Sequence, residues 1–273
     1  MYRLVAVDVD GTLLTGAHEL TPRVGAAVRA ARARGLHVAL ATGKLLGSVA
    51  GLVDALALDG PQITCNGAAI LPAAGGRPLA FWPLEDAALA RALSALRQAD
   101  PALGIAWYTP DAIYTDAPEG PLDAILAAYP EPPLIHVRAL DGELPTPAKL
   151  LVTGAPERLA ALRARVTPQL EGAAQVVTTT PDFLEFFSHR ASKGAALRDI
   201  TRRLDLSREE VLAIGDGEND ITLLAAAGGA VAMANAVPAL RAHAAYQTAS
   251  NDEDGVALVI EAVLAGQPLT RLP

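Results

Sequence analysis

Two aspartates separated by one residue, Asp8 and Asp10, end an apolar run near the start of the chain. Burying negative charge at the end of an apolar strand is unfavourable unless a positive group is paired with it. Two carboxylates this close in sequence also repel each other. A cation relieves both effects, and hard carboxylate oxygens favour Mg²⁺. We therefore expect a metal site, and with it chemistry, at Asp8 and Asp10.

Further polar motifs follow predicted strands or begin predicted helices. They are Thr42-Gly43-Lys44, Asn66-Gly67, Ser192-Lys193-Gly194 and the run Gly215-Asp216-Gly217-Glu218-Asn219-Asp220. The carboxyl ends of strands in an open parallel sheet form one crevice, which is the usual ligand site. These motifs are therefore predicted to converge with Asp8 and Asp10.

Together these residues suit phosphoryl transfer, which needs an in-line nucleophile, a cation and donors around the phosphoryl oxygens. Asp8 is the expected nucleophile, because a carboxylate can form an aspartyl-phosphate. Asp10 would protonate the leaving oxygen and later activate water. Lys193 would neutralise charge shared by Asp8 and the phosphate, and Asp216 would complete the metal site.

The remaining motif residues are expected to hold substrate or to orient metal ligands. Thr42 and the backbone amides after Asp8 would hold phosphoryl oxygens. Asn219 and Asp220 would orient ligands or reach the metal directly. The predicted substrate-binding set is Gly11, Thr12, Gly43, Lys44, Asn66 and Asn219, and the predicted metal set is Asp8, Asp10, Asp216 and Asp220.

Short apolar runs alternate with helical patterns along the chain, which predicts an α/β fold. Thr21, Pro22 and Gly35 mark the start and end of the first helix. The sequence pattern changes after Trp82: predicted helices and short strands are joined by proline-rich segments, and no acidic or basic cluster suggests chemistry. The earlier alternation of apolar strands and helices returns at Phe187. The segment between is predicted to be an inserted second domain.

Composition limits the function classes. The chain has 273 residues, 51% of them hydrophobic, with 22 Lys and Arg against 30 Asp and Glu. A formal charge of −8 does not favour a nucleic-acid partner. There is no apolar run long enough to span a membrane, no signal-peptide pattern, and a single cysteine, so we expect a cytoplasmic protein.

The four motifs, in their order along the chain, resemble those of the haloacid dehalogenase superfamily of phosphatases. Asn66-Gly67, the long insertion and the Gly-Asp-Gly-Xaa-Asn-Asp form of the last motif resemble its Cof-type branch. The resemblance implies a Rossmann-like parallel-sheet core at residues 1–82 and 187–273 and a mobile α/β cap at 83–186. It also implies metal ligation by Asp8, Asp216 and the main-chain carbonyl of Asp10.

One position departs from the Cof-type pattern, in which arginine usually follows Ala-Thr-Gly. Here Lys44 stands in its place and keeps the charge without the planar fork that grips phosphate or carboxylate at two points. A substrate contact carried over through that arginine is therefore in question.

The expected function is Mg²⁺-dependent hydrolysis of a small phosphorylated metabolite, with sugar phosphates as the broad expectation. A phosphomutase shares the first half-reaction, and nothing in the sequence separates the two. The third possibility is a phospho-accepting or non-catalytic metabolite-binding protein. The acid/base candidate Asp10, two residues after the expected nucleophile, argues against it. A monomer or homodimer is expected, with no nucleic-acid or membrane partner.

Overall fold

A computed structural model describes residues 1–129 and 131–270 of the chain. In chain order its strands are β1 Leu4–Val7, β2 His37–Leu40, β3 Pro61–Thr64, β4 Ala69–Pro72, β5 Ala80–Phe81, β6 Ile105–Tyr108, β7 Ile113–Thr115, β8 Ile135–His136, β9 Lys149–Thr153, β10 Ala174–Thr180, β11 Phe183–Ser188, β12 Val211–Gly215, β13 Gly229–Ala232 and β14 Tyr246–Gln247. The α-helices are α1 Pro22–Ala33, α2 Leu46–Ala55, α3 Asp86–Ala99, α4 Pro121–Ala128, α5 Pro156–Leu170, α6 Lys193–Arg203, α7 Ile221–Ala226, α8 Pro238–Arg241 and α9 Gly255–Leu264.

The first sheet is parallel and has the order β14-β13-β12-β1-β2. Strand β1 is an inner strand of this sheet, is fully buried and lies between β12 and β2. A parallel sheet is normally covered on both faces, which is why its strands are continuous apolar runs rather than alternating ones. This sheet confirms the predicted α/β fold with a parallel core.

Helix α1 begins and ends where the sequence predicts. The Thr21 side chain accepts a hydrogen bond from the Val24 amide, and Pro22 occupies the first helical position. Gly35 follows the helix with a φ of +84°, a left-handed conformation that glycine adopts at low cost. Helix α1 then packs against α9 beside the parallel sheet.

The second sheet has the order β10-β11-β9-β6-β7-β8 and comes from the middle of the chain. Its central strands are antiparallel, and a separate apolar cluster that includes Trp107, Leu150 and Phe186 lies against them. Strand β11 continues to Ser188. The predicted boundary between 186 and 187 therefore falls inside a strand of this sheet.

A smaller apolar cluster joins the two parts. It contains Leu45 and Cys65 from the first 82 residues together with Tyr108, Leu151 and Phe187 from the second sheet. Burial raises the pKa of the Cys65 thiol to about 12. Within residues 1–129 and 131–270, no helix combines the length and the apolar character that crossing a bilayer requires.

Candidate active site

Asp8 and Lys193 form the centre of the site at the carboxyl end of β1. Lys193 Nζ donates to Asp8 Oδ1 at 2.6 Å and to Asp220 Oδ1 at 2.6 Å. The lysine side chain is completely buried, so its charge has to be compensated inside the protein. Burial lowers the pKa of Lys193, but Asp220 and Asp8 together raise it by more, and the ammonium stays charged.

A close approach of backbones brings Lys193 to this position. Ser192 caps α6 by accepting a hydrogen bond from the Ala195 amide, which places Lys193 in the first turn. The Ser192 carbonyl lies against Gly67, whose φ is +88°, where any Cβ atom would collide with it. The Asn66-Gly67 turn therefore allows α6 to begin beside Asp8.

The loop that follows β12 presents the other two carboxylates. Asp220 Oδ2 accepts hydrogen bonds from the amides of Asp216 and Gly217, at 3.1 and 3.0 Å. Thr12 Oγ1 donates to Asp216 Oδ1 at 2.7 Å. Gly11 has a φ of +78°, and a Cβ atom there would lie 2.5 Å from Asp216 Oδ2. The Thr12 hydroxyl therefore holds the Asp216 carboxylate, and the lack of a side chain at Gly11 leaves room for it.

The three carboxylates of Asp8, Asp216 and Asp220 form a group that can hold a cation. One oxygen from each lies within 4.8 Å of the others. Burial and the nearby Asp220 raise the pKa of Asp8 well above its ordinary value, although Lys193 opposes the change. The same two causes raise the pKa of Asp216 to about 6. Crowded carboxylates with raised pKa values suit a divalent cation, which would favour their ionised forms.

Asp220 differs from its two neighbours in that both of its oxygens are already engaged. Oδ1 accepts from Lys193, and Oδ2 accepts from two backbone amides. Asp220 is also fully buried, whereas Asp216 is only partly buried. Its contacts hold Lys193 and the 216–220 loop in place.

Asp10 lies beside the carboxylate group but points to different partners. Its Oδ1 accepts from Lys44 Nζ at 2.6 Å and contacts His18 Nδ1 at 3.2 Å. The Lys44 side chain is nearly buried, and that of Asp10 is about one-third exposed. Lys44 therefore binds the Asp10 carboxylate in the structure.

The turn after β2 is closed by its own residues. Thr42 is buried, and its Oγ1 accepts a hydrogen bond from the Lys44 amide at 3.0 Å. The carbonyl of Gly43 accepts from Lys149 Nζ at 2.7 Å. The short Thr42-Gly43-Lys44 segment thus connects Asp10 on one side to the second sheet on the other.

A buried network of four side chains crosses between the two parts of the molecule. Lys149 Nζ donates to Glu185 Oε1 at 2.8 Å, and both residues are almost fully buried. The Glu185 carboxylate also accepts from Asn66 Nδ2. Asn66 Oδ1 in turn accepts from Asn219 Nδ2 at 2.9 Å. The network therefore reaches from β9 and β11 to the acidic loop.

A cavity of about 670 Å³ opens above these groups. From the part of the molecule built on the parallel sheet, its wall includes Asp8, Asp10, Gly11, Gly43, Lys44, Asp216 and Asn219. The second sheet and the loops that connect its strands contribute Tyr129, Glu131, Lys149, Leu151, Thr178, Thr179, Thr180, Pro181, Phe183 and Glu185. A ligand in this cavity would touch both sheets.

The structure brings most of the predicted site residues together in distinct roles. Asp8, Asp10, Lys193, Asp216 and Asp220 meet at one end of the parallel sheet. The Thr12 side chain contacts Asp216, while Asn66 contacts Asn219 and Glu185 rather than the cavity. Thr42 lies beneath the turn that carries Gly43 and Lys44 into the cavity wall.

Sequence reasoning missed Lys149, Glu185, Glu131 and His18. Lys149 and Glu185 did leave a signal, because each is a single charge in an otherwise apolar strand. Two such strands with opposite charges favour a buried ion pair over two isolated buried charges. Glu131 and His18 lie in loops, and nothing in the residues around them indicates a site.

Comparisons with known proteins identify the family of this chain. A sequence model of the haloacid dehalogenase-like hydrolases matches residues 5–260. The Bacillus subtilis protein named "Putative phosphatase YxeH" is 33% identical over 97% of this chain and its own full length. The HMP-PP phosphatase of Yersinia pseudotuberculosis is 28% identical over 88% of this chain and 87% of its own.

A solved structure gives the same result for the fold. A haloacid dehalogenase-like hydrolase from Bacteroides thetaiotaomicron aligns with a TM-score of 0.84 and 28% identity. The alignment covers 96% of this chain and all of the other. The match extends over the parallel sheet, the second sheet and the motifs that line the cavity. This chain is therefore an enzyme of the haloacid dehalogenase-like hydrolase family.

Proposed function

We propose that the protein is a Mg²⁺-dependent phosphatase that hydrolyses a small phosphorylated metabolite through an aspartyl-phosphate on Asp8. The observation that carries this proposal is the convergence of Asp8, Lys193 and Asp216 beneath the cavity. A nucleophilic carboxylate, a fixed cation and a carboxylate group suited to a metal are the parts that phosphoryl transfer requires. The named phosphatases among its relatives support the reaction class.

In the first step the Asp8 carboxylate attacks phosphorus, and the bond from phosphorus to the leaving oxygen breaks. Lys193 holds Asp8 Oδ1, so the other carboxylate oxygen is the one that we assign to the attack. Asp10 gives its proton to the leaving oxygen. In the second step Asp10 takes a proton from water while that water attacks phosphorus, which releases phosphate and restores Asp8.

The residues present fit a magnesium ion, because hard oxygens surround a buried group of negative charge. We assign the Asp8 and Asp216 carboxylates and the Asp10 carbonyl as its protein ligands. We assign Asp220 to holding Lys193 and the loop, because both of its oxygens are engaged there. When bound, the metal supplies positive charge that stabilises the phosphoryl oxygens.

The phosphoryl group would be held by donors on two sides. The amides of Gly11 and Thr12 lie three and four residues after the nucleophile, and the Thr42 hydroxyl can donate from the neighbouring turn. Lys193 supplies the buried positive charge. The Thr12 hydroxyl contacts Asp216 and so acts on the metal group rather than on the phosphate.

We propose that residues 83–188 form a cap and the rest of the chain a core. Extending the cap to Ser188 keeps β11 whole. Gly43 and Lys44 would meet the substrate where the core joins the cavity wall. A sugar phosphate is the substrate class that we favour, since the wall offers the hydroxyls of Thr178, Thr179 and Thr180.

Phosphate release from a panel of sugar phosphates and p-nitrophenyl phosphate, with and without Mg²⁺, tests the proposal. We expect release that requires the metal and is lost in Asp8→Asn, an isosteric change that removes the nucleophile. Full activity in that variant, or in the presence of a chelator, would overturn the proposal. Equal yields of phosphate and dephosphorylated product separate hydrolysis from mutase activity.

A further inference from the structure

The far wall of the cavity contains one carboxylate that has no cationic partner among the described residues. Two pairs of oppositely charged side chains line the same cavity, and within each pair the lysine binds the carboxylate. Lys44 is bound to Asp10, and Lys149 is bound to Glu185 and to a backbone carbonyl. The charge of each lysine is therefore already balanced by one carboxylate.

The remaining carboxylate belongs to Glu131, which lies in the segment before β8. The one hydrogen bond to it from a described side chain comes from Ser48 Oγ at 2.5 Å. Burial raises the pKa of Glu131, while Lys149, Ser48 and Lys44 limit the rise. A half-buried carboxylate with a single neutral donor still has acceptor capacity.

A second observation concerns Tyr108, which lies next to Glu131 but is not part of the cavity wall. The Tyr108 hydroxyl is buried and has no hydrogen-bond partner among the described residues. Burial and the Glu131 charge raise the pKa of Tyr108, so this hydroxyl lies in the field of Glu131 and stays protonated. The protonated Tyr108 hydroxyl is neutral and therefore does not balance the charge of Glu131.

The charges decide what kind of leaving group fits here. With both lysine pairs neutral, Glu131 gives this end of the cavity a net negative charge, and the hydroxyls of Thr178, Thr179 and Thr180 add neutral polar groups. A second anion on the substrate would face Glu131 without a free cation to oppose the repulsion. Hydroxyl or ammonium groups would instead donate to it.

We propose that Glu131 selects the leaving group, and that the substrate is the phosphate monoester of an uncharged or cationic polyol with no second anionic group. This inference rests on the proposed phosphatase function and narrows its substrate class. Glu131 touches the leaving group rather than the phosphoryl group. It therefore sets specificity and takes no part in the chemical step.

The test compares two esters of equal chain length, sorbitol 6-phosphate and gluconate 6-phosphate, which differ in a terminal carboxylate. We expect wild-type kcat/KM to favour the neutral ester by roughly tenfold or more, as expected for like charges a few ångströms apart at an intermediate dielectric. In Glu131→Gln this preference should shrink several-fold. Glu218→Gln is the matched control, because Glu218 also lines the cavity but is paired with Arg163; its preference should stay that of the wild type.

A wild-type enzyme that hydrolyses gluconate 6-phosphate as well as sorbitol 6-phosphate would overturn the inference, as would an unchanged preference in Glu131→Gln. Failure of the phosphatase proposal itself gives a different result, the absence of p-nitrophenyl phosphate hydrolysis. In that case calorimetric binding of the two esters to Asp8→Asn protein gives the same comparison. Circular dichroism confirms that each variant is folded.

Discussion

Replacing Asp216 by Asn should stabilise the metal-free protein at neutral pH while it removes the response to Mg²⁺. The pKa of the Asp216 carboxyl rises from 3.8 to about 6 on folding, because burial and Asp220 disfavour its charge. The folded state then holds a proton that the unfolded state has lost, so stability falls as pH rises from about 4 to about 6. At 1.36 kcal/mol per pKa unit, the ionised carboxyl destabilises the folded state by about 3 kcal/mol above pH 6.

The asparagine side chain of this variant cannot ionise, and its oxygen can still accept the Thr12 hydrogen bond. In urea unfolding followed by fluorescence, with a chelator present, we expect the variant to exceed the wild type by up to about 3 kcal/mol at pH 8 and to match it at pH 4. Saturating Mg²⁺ should stabilise the wild type, by about 2.7 kcal/mol at a hundredfold excess over Kd, and the variant far less.

A control and a contrary result complete this test. Asp54→Asn removes an exposed carboxyl from α2 and should change neither the stability at pH 8 nor the Mg²⁺ response. A metal-free Asp216→Asn protein that is less stable than the wild type at pH 8 would contradict the expected cost of the ionised carboxyl. Equal stabilisation of the variant and the wild type by Mg²⁺ would contradict the role of Asp216 as a metal ligand.

Two further predictions concern the buried lysines. Lys193→Met leaves Asp8 and Asp220 without their cation. We expect this variant to lose about 3–5 kcal/mol of unfolding free energy, measured in urea, and to lose phosphatase activity. An active variant that is as stable as the wild type would contradict the assigned role. Lys149→Met leaves Glu185 buried and unpaired, so we expect a loss of similar size and faster maleimide labelling of Cys65, which packs at the junction of the two sheets. Arg163→Met is the control, because it breaks an exposed ion pair between the same two parts. It should lower the unfolding free energy by under about 1 kcal/mol and should not speed the labelling of Cys65. Equal labelling rates in Lys149→Met and Arg163→Met would argue against the buried network.

Local signals predicted the elements that carry them. The Thr21 cap, Pro22 and the periodic run after them define α1. Helix α2 gave no such signal. Its cap position is Leu45 and it contains Gly47 and Gly51, so its stability comes from packing rather than from local propensity.

The side of the site formed at the parallel sheet could be predicted from the sequence, because every predicted group follows a strand or begins a helix. The side formed by the second sheet was not, since its groups meet only through strand pairing. Lys149 lies opposite Phe187 in the antiparallel register of β9 and β11, which brings its ammonium beside Glu185, 36 residues away. Sequence periodicity assigns a residue to a face but does not give the register between distant strands.

The contact made by Lys44 also depends on three-dimensional structure. The sequence shows lysine where the Cof-type pattern has arginine, which leaves the corresponding substrate contact in question. The structure gives this lysine the Asp10 carboxylate as its partner. A compact ammonium can donate to one carboxylate oxygen in a confined space without the second contact that arginine would seek.

The central claim is that Asp8 carries the phosphoryl group between two half-reactions. It is tested most directly by mixing Asp10→Asn protein with Mg²⁺ and p-nitrophenyl phosphate, whose leaving group needs no proton from Asp10, and by mass spectrometry of the peptides after an acid quench. Without the base that activates water, the phosphoenzyme should accumulate, and the peptide containing Asp8 should gain the mass of one phosphoryl group. Substrate turnover with no such adduct, or an adduct on a different residue, would contradict the account.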